Sequence, residues 1–211
     1  MTDGSTDARV TGVQFSASRY EFRVVPNLDG IYSSVREVVE RRKAVAGING
    51  GYFKPNSVPV GLLISRGEII HPLEHAKLLS GVLVVRNGIP ELRRIAEFAG
   101  TRGIQEAIQS GPFLVEASRP LSGLNSTREA ARSFVFTTAN ADWGIGICRS
   151  VTLGQLAQIL VAPDLLPHAR ITRALNLDGG SSTSFYLKMG QTELSSSGWV
   201  TVSDYLTVTT K

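Results

Sequence analysis

Apolar positions recur along most of this chain in short runs or in alternation with polar positions, a pattern that favours β-strands over helices. These stretches are rich in β-branched residues and are separated by residues typical of turns. The pattern predicts strands over residues 10–16, 20–26, 60–65, 82–86, 133–138, 144–148, 183–188 and 205–209. Strands are therefore expected to dominate the structure.

Helical periodicity is confined to a few segments. Residues 33–43 form the first predicted helix, with Ser34 placed to cap its N-terminus. Residues 152–161 form the second, in which Thr152 is the predicted cap and the leucines and an alanine make one apolar face. Residues 105–109 are a candidate for a short third helix.

Two hairpin signals indicate how the strands pair. The segments R-G-E (66–68) and R-N-G-I-P (86–90) each place a tight turn between neighbouring strands, and Asn-Gly is typical of a two-residue loop. No linker, repeat or low-complexity block interrupts the 211 residues. We therefore predict one α+β domain over residues 1–211, with a mixed, largely antiparallel sheet or sheets and a few helices on one side.

Charge and cysteine content exclude several classes of protein. The net charge is only +4, the longest basic run is 41–43, and no nucleic-acid-binding motif is present, so we expect no nucleic-acid partner. A single cysteine, Cys148, excludes an internal disulfide and a thiolate metal cage. No apolar run is long enough for a membrane-spanning helix, and the first residues lack the features of a signal peptide.

Two segments share an unusual pattern, in which an apolar strand ends at a polar side chain followed by two glycines. They are residues 46–53, A-G-I-N-G-G-Y-F, and residues 174–181, A-L-N-L-D-G-G-S, and each follows a predicted helix. Ligands often gather at strand ends of this kind, and paired glycines let backbone N–H groups approach an anion. The alternative is that both segments are tight turns required by packing.

These segments, together with S-G-P-F-L, A-R-S-F-V-F and T-L-G-Q-L-A-Q-I-L between them, resemble the phosphodiester glycosidase family. The resemblance is strongest over residues 46–187, and N-L-D-G-G-S-S-T is its most specific block. It implies a domain of mixed α+β fold that cleaves a sugar from a phosphodiester or a related glycosidic bond. The substrate would be a sugar phosphate or glycan, and the compartment, by family analogy, the periplasm or the extracellular space.

The resemblance also implies a set of site residues. The catalytic candidates are Asp178, Asn49 and Arg132, and the substrate-binding candidates are Gly50, Gly51, Ser110, Gly111, Arg149, Gly179, Gly180 and Ser181. The chain departs from the family pattern at two places. Relatives often carry a third glycine before the serine that matches Ser181, and an Asp-Gly where this chain has Ile147-Cys148. These departures leave open a non-catalytic module that binds carbohydrate or cell-envelope glycan in the same pocket.

Cleaving a sugar phosphodiester develops positive charge at the anomeric carbon and negative charge on the departing phosphate. Asp178 is the candidate nucleophile or base at the sugar, while Arg132 and Arg149 are suited to bidentate contact with phosphate oxygens. Asn49 is a candidate to hold a sugar hydroxyl, and the glycines after Asp178 would add backbone N–H donors. A partner acid is not determined, and Glu74, Glu116 and Asp204 are its candidates.

No cofactor or dedicated metal site is predicted. Asp178 and the hydroxyls at 181–184 are oxygen ligands, but one carboxylate suits only a weak divalent cation. The segment H-P-L-E-H (71–75) matches the sequence pattern of a zinc peptidase motif. Pro72, however, should prevent the two histidines of the segment from sharing one helix face. Oligomeric state is left open by the sequence.

Overall fold

The computed structural model describes residues 8–166 and 168–211. Its strands are β1 (Val10–Ser16), β2 (Tyr20–Pro26), β3 (Ala46–Asn49), β4 (Leu63–Ser65), β5 (Glu68–His71), β6 (Gly81–Arg86), β7 (Ile89–Arg94), β8 (Ile104–Ser110), β9 (Phe113–Glu116), β10 (Arg119–Pro120), β11 (Ala130–Thr138), β12 (Asp142–Val151), β13 (Ile171–Asn176), β14 (Phe185–Met189), β15 (Thr192–Ser196) and β16 (Asp204–Thr210). Its α-helices are α1 (Val35–Arg42) and α2 (Leu153–Leu160), and single 3-10 turns occur at Ile95–Glu97 and Gly180–Ser182. Strands dominate, as the alternation of apolar residues predicts.

The strands form three sheets. The first sheet has the order β1-β12-β11-β13-β9-β10, the second β15-β14-β3-β16-β2 and the third β5-β4-β8-β6-β7. Neighbouring strands are antiparallel in every sheet. The two predicted hairpins are present, because β4 joins β5 through Arg66-Gly67 and β6 joins β7 through Asn87-Gly88. All four turn residues have positive φ, as two-residue hairpin loops of this kind require.

One apolar core lies between the three sheets, because each sheet contributes the side chains of one face to it. Phe15 from β1, Phe22 from β2 and Trp143 from β12 pack edge to face there, with ring centroids 5.1 and 5.8 Å apart. The third sheet adds buried residues such as Leu83 and Ile108. The structure thus confirms an α+β fold.

Each helix covers the outer face of a different sheet. The side chain of Ser34 accepts a hydrogen bond from Glu37 N at 3.2 Å and caps α1, which buries its valines against the second sheet. Thr152 caps α2 with a reciprocal capping box, and the apolar face of that helix packs on the first sheet. With eight residues each, neither helix in the described chain is long enough to cross a membrane.

The predicted third helix at 105–109 is wrong, because these residues lie within strand β8. Ile104, Ala107 and Ile108 have helix-like spacing in the sequence. Two polar residues interrupt the alternation expected of a strand, and both are buried through contacts with other segments. Glu106 accepts a hydrogen bond from Val24 N at 3.0 Å, and Gln109 accepts one from Leu62 N at 2.8 Å.

Candidate functional site

The two Gly-Gly segments meet in the structure although they leave different sheets. The first follows β3 in the second sheet, and the other follows β13 in the first sheet. Asp178 N donates to Gly50 O at 3.1 Å, and Asn49 Nδ2 donates to the main-chain oxygen of Asp178 at 2.8 Å. The pattern that the two segments share in sequence therefore marks a single site between two sheets.

The Asn49 amide holds this junction together. Its Oδ1 accepts hydrogen bonds from Ser133 Oγ at 2.7 Å and from Ser184 N at 3.0 Å, while its Nδ2 contacts Asp178. The residue is 0% exposed. Asn49 thus connects β3, β11 and the segment before β14, and its burial fits a residue that positions Asp178 better than one that contacts a sugar.

The Asp178 carboxylate lies at the surface of this junction, partly buried. Its Oδ1 accepts a hydrogen bond from Gly179 N at 2.8 Å, and the Ser182 hydroxyl bonds the same side chain. Burial raises the pKa of Asp178, while these hydrogen bonds act in the opposite direction. Gly180, two residues after Asp178, has a φ of +64°, and a Cβ atom at this position would have no neighbour within 4 Å. The backbone beside the carboxylate is therefore accessible.

The Arg132 side chain lies next to Gly179. A Cβ atom on Gly179 would be 2.8 Å from Ala131 O and 3.8 Å from Arg132 Cδ, so glycine permits this close approach. Arg132 donates from Nε to Val151 O at 3.2 Å and from Nη2 to Arg128 O at 2.7 Å, and burial lowers its pKa. Within residues 8–166 and 168–211, no carboxylate forms a salt bridge with Arg132.

Tyr52 and Asn176 belong to the site, and the sequence analysis does not single them out. The Tyr52 hydroxyl donates to Gly111 O at 2.7 Å and accepts from Asn176 Nδ2 at 3.0 Å. Burial, together with the charge of Asp178, raises the pKa of Tyr52 to about 12, and the charge of Arg132 acts in the opposite direction. Both charged groups therefore lie close enough to the Tyr52 hydroxyl to shift its pKa. The only signal for either residue is its position inside the two Gly-Gly segments.

Several hydroxyl and amide oxygens around the site are buried without a hydrogen-bond partner in the described chain. They are Ser110 Oγ, Asn176 Oδ1 and Thr183 Oγ1. Ser110 and Gly111 are both buried at the end of β8, beside the Tyr52 hydroxyl contact. Buried polar atoms of this kind normally have a partner, so these three oxygens retain unused hydrogen-bonding capacity around the site.

Asp204 is a second carboxylate at the junction, below the surface. It is 1% exposed, its Oδ1 accepts from Gly51 N at 2.9 Å, and its Oδ2 accepts from Ser203 Oγ at 2.7 Å. Gly50 N donates to the main-chain oxygen of Asp204 at 2.9 Å. The N–H groups of Gly50 and Gly51 are thus directed at Asp204. Burial raises the pKa of Asp204 to about 6, and the charge of Asp178 raises it as well.

The raised pKa of Asp204 predicts a pH dependence of stability. Between the unfolded pKa, about 3.9, and about 6 in the folded protein, the native state binds the proton and the unfolded state does not. Ionising Asp204 therefore costs stability as pH rises through about 6. Asparagine has no such proton to lose, so the free energy of unfolding of Asp204→Asn minus that of wild type should increase by up to about 3 kcal/mol from pH 4 to pH 7.5. Urea unfolding of both proteins at the two pH values measures the change, and an unchanged difference would contradict it.

Arg149 and Trp199 contact segments that border the site. Arg149 is exposed, and its Nη2 donates to Ser196 Oγ at 2.5 Å, which connects β12 to the end of β15. Trp199 N donates to Ser181 O at 2.7 Å, so the loop after β15 is bound to the D-G-G-S-S segment. The Trp199 side chain is 88% exposed and projects into solvent beside exposed Ser181. No motif surrounds Trp199, so the sequence gives no sign of its position at the site.

The other candidate acids lie in different environments. Glu116 is paired with Arg173 at 3.2 Å and Arg94 at 3.7 Å, and Glu74 lies 3.6 Å from His71 Nε2.

His71 ends β5 and the residues after it are not helical, so H-P-L-E-H does not present two imidazoles on a helix face. The described residues contain no group of three or more His, Cys, Asp or Glu side chains that could hold a metal. Burial raises the pKa of the Cys148 thiol, as expected of an inert core cysteine.

Known structures share this fold. The catalytic domain of zebrafish N-acetylglucosamine-1-phosphodiester alpha-N-acetylglucosaminidase, auto-inhibited by its pro-peptide, aligns with a TM-score of 0.67 and 12% identity, over 99% of this chain and 86% of that one. A hypothetical protein from Synechocystis aligns with a TM-score of 0.65 and 17% identity, over 96% and 59% of the two chains. A candidate exported protein from Burkholderia pseudomallei aligns with a TM-score of 0.67 and 12% identity, over 95% and 73%.

At these identities the solved structures show the fold alone. A comparison with curated protein sequences gives no significant match. The sequence model of the phosphodiester glycosidases, however, matches residues 42–209, which include both Gly-Gly segments, Arg132, Arg149 and Asp204. The chain therefore belongs to the phosphodiester glycosidase family.

Proposed function

We propose that this protein hydrolyses the bond between a sugar and a phosphodiester, with Asp178 acting at the sugar and Arg132 at the phosphate. One observation carries the proposal. A partly buried carboxylate and a partly buried guanidinium with no salt-bridge partner in the described chain both lie next to Gly179, and the charges of both act on the Tyr52 hydroxyl. A substrate that joins a developing cation to an anionic leaving group matches this pair of charges.

At the sugar, Asp178 accepts the proton of the attacking water. The water oxygen bonds to the anomeric carbon as the bond from that carbon to the phosphate oxygen breaks, and the electron pair leaves with the phosphate. Burial raises the pKa of Asp178, which makes its carboxylate a stronger base than an exposed one. Asn49 and Gly50 act as positioning residues, because they bind the main chain of Asp178.

At the phosphate, Arg132 and Arg149 stabilise the charge that the leaving group gains. Arg132 is held by two main-chain carbonyls, so little side-chain freedom is lost when it binds an anion. A phosphate ester is a weak base and needs little protonation to depart. This fits the positions of the candidate acids, since Glu74 and Glu116 contact other charged side chains and Asp204 is buried.

Trp199 extends the site toward the sugar or its neighbour. An aromatic ring that is 88% exposed leaves a large apolar surface in water, and sugar rings present apolar faces that can pack on it. Its main chain is bound to Ser181, three residues from Asp178. We assign Trp199 as a stacking surface for a sugar ring of the substrate.

We infer that the substrate is an exported glycan or glycolipid headgroup and that the protein acts in the periplasm or outside the cell. The solved structure of the candidate exported protein from Burkholderia pseudomallei supports this compartment. Fractionation of the native host, with the protein found only in the cytoplasm, would contradict it.

Sugar release from a panel of glycosyl phosphodiesters, quantified by chromatography beside plain aryl glycosides and aryl phosphodiesters, tests the activity. We expect release from the phosphodiesters alone. Arg132→Met should lower kcat/KM by about 10²–10³-fold, and Trp199→Ala should raise KM more than it changes kcat. Arg119→Met, which removes an exposed arginine from β10, is the matched control and should retain wild-type rates. Equal loss in both arginine variants, or faster turnover of the aryl phosphodiesters, would contradict the proposal.

A further inference from the structure

A separate cleft of about 530 Å³ runs along β2, the edge strand of the second sheet. We call it the basic cleft and define it by its lining residues. They are Arg23, Val24, Val25, Pro26, Arg42, Lys43, Ser65, Arg66, Glu106, Thr207, Thr209 and Thr210. None of them belongs to the Asp178 site, and the proposed hydrolysis makes no use of them.

Four cationic side chains line the basic cleft against one carboxylate. Glu106 is 1% exposed, and it accepts hydrogen bonds from Val24 N at 3.0 Å and from Arg23 Nη1 at 3.3 Å. Glu106 therefore compensates the charge of Arg23. Within the described residues, no carboxylate forms a salt bridge with Arg42, Lys43 or Arg66, so three positive charges of the cleft are not neutralised by the protein.

Two of the arginines are fixed in place before any ligand arrives. Arg42 donates from Nε to the Tyr32 hydroxyl at 2.9 Å, and its guanidinium carbon lies 5.7 Å from the centroid of the same ring. Arg23 donates from Nε to Glu21 at 3.0 Å in addition to its contact with Glu106. Cations held in this way lose little conformational freedom on binding an anion.

The backbone conformation gives an independent reason to assign a role to Lys43 and Arg66. Lys43 has φ of 54° and Arg66 has φ of 52°, a region in which glycine or asparagine is favoured. Eight non-glycine residues in the described chain have positive φ, and these two are the only charged ones among them. Both line the basic cleft. Long cationic side chains thus occupy two positions that the backbone alone would give to smaller residues.

We propose that the basic cleft is a second anion site that binds phosphate groups carried on an extended chain. Its cations come from the end of α1, the β4–β5 turn and β2, so they are spread along the cleft and suit several phosphates better than one. The proposal is independent of the hydrolytic activity. It concerns binding alone, and no bond of the ligand is broken there.

Isothermal titration with inorganic phosphate and with linear tripolyphosphate, at low and moderate salt, tests the proposal. Tripolyphosphate is expected to bind at least about ten-fold more tightly than phosphate and to weaken as salt rises. Lys43→Gly with Arg66→Asn should weaken tripolyphosphate binding by at least about ten-fold. Because both replacements suit a positive φ, the double variant should fold as stably as wild type, which thermal unfolding verifies.

Two control variants locate the bound anion. Lys77→Gly with Arg102→Asn removes the same charge from exposed positions outside the cleft and should leave the affinity within about two-fold of wild type. Arg119→Ser, at an exposed position on β10, should do the same. The proposal is overturned if phosphate and tripolyphosphate bind equally well, if neither binds, or if either control loses as much affinity as the cleft variant.

Discussion

Replacing Asp178 with asparagine is expected to lower kcat for a sugar phosphodiester by about 10²–10⁴-fold and to leave affinity for the uncleaved substrate nearly unchanged. Asparagine is neutral at this position and cannot accept the proton of the attacking water. The main-chain contacts of residue 178 with Asn49 and Gly50 do not involve its side chain. The site should therefore stay assembled around a side chain that has lost only its basicity.

The fold of Asp178→Asn should be at least as stable as that of wild type. The new amide oxygen can accept the Gly179 N–H, and burial raises the pKa of Asp178, which means that the site disfavours its charge. Steady-state rates, titration with a non-cleaved analogue and thermal unfolding of the same preparation separate the effects. The matched control is Asp142→Asn, at the far end of β12 from Arg149, which should keep full activity.

The two outcomes of this substitution distinguish the two functions that the sequence leaves open. An enzyme loses turnover and keeps its ligand. A glycan-binding module has no turnover to lose, so wild type and Asp178→Asn would both be inactive on every substrate while both still bind sugar phosphates. Retention of wild-type turnover in Asp178→Asn would instead remove Asp178 from the mechanism.

The sequence predicts the fold best where a strand has one buried face. Strands β1 and β2 occur at the predicted residues, because side chains alternate between the core and the outside and the period of two is visible. The two helices are predicted by their caps as much as by their apolar faces. Ser34 and Thr152 both accept the hydrogen bonds expected of N-cap residues.

Prediction fails where long-range contacts determine burial. β8 carries Glu106 and Gln109 in the interior because partners from distant parts of the chain, Val24 N and Leu62 N, satisfy them, and no local pattern indicates such partners. The sequence pattern misses β15 for the opposite reason. Its residues are mostly exposed at the edge of the second sheet, so they show no apolar alternation.

The same distinction applies to the candidate site. The paired motifs are visible in sequence because each is a contiguous run, and they do meet at the contact of Asp178 with Gly50. Tyr52 contacts Asn176, and Asp204 contacts Gly51, only because three distant segments pack together. No single run of residues in the sequence therefore predicts that Tyr52 and Asp204 lie at the site. What the local pattern indicates is the location of the site, whereas the supporting network depends on the packed sheets.

Replacing Gly50 with alanine is expected to destabilise the protein by about 3–5 kcal/mol, which corresponds to a fall in Tm of roughly 6–20 °C for a chain of this size. A Cβ atom at position 50 would lie 1.8 Å from Asp204 Oδ1 and 3.0 Å from Asp204 O. Asp204 cannot move aside cheaply, since its carboxylate binds Gly51 N and Ser203 Oγ in the interior. The substitution should also displace Asp178, whose main-chain N–H donates to Gly50 O.

Two further variants identify the cause of this loss. Gly154→Ala introduces the same methyl group in α2, where the nearest atom is 3.7 Å away, and should leave stability unchanged or raise it by up to about 1 kcal/mol. An Asp204→Ala background removes the 1.8 Å contact with the carboxylate and leaves only the 3.0 Å contact with the main-chain oxygen, so Gly50→Ala should cost less there than in wild type, a coupling that a double-mutant cycle measures by urea unfolding. If the cost is the same in both backgrounds, the contact with Asp204 does not explain why position 50 is glycine. A reduced cost would mean that position 50 is glycine because the Asp204 carboxylate packs directly against it.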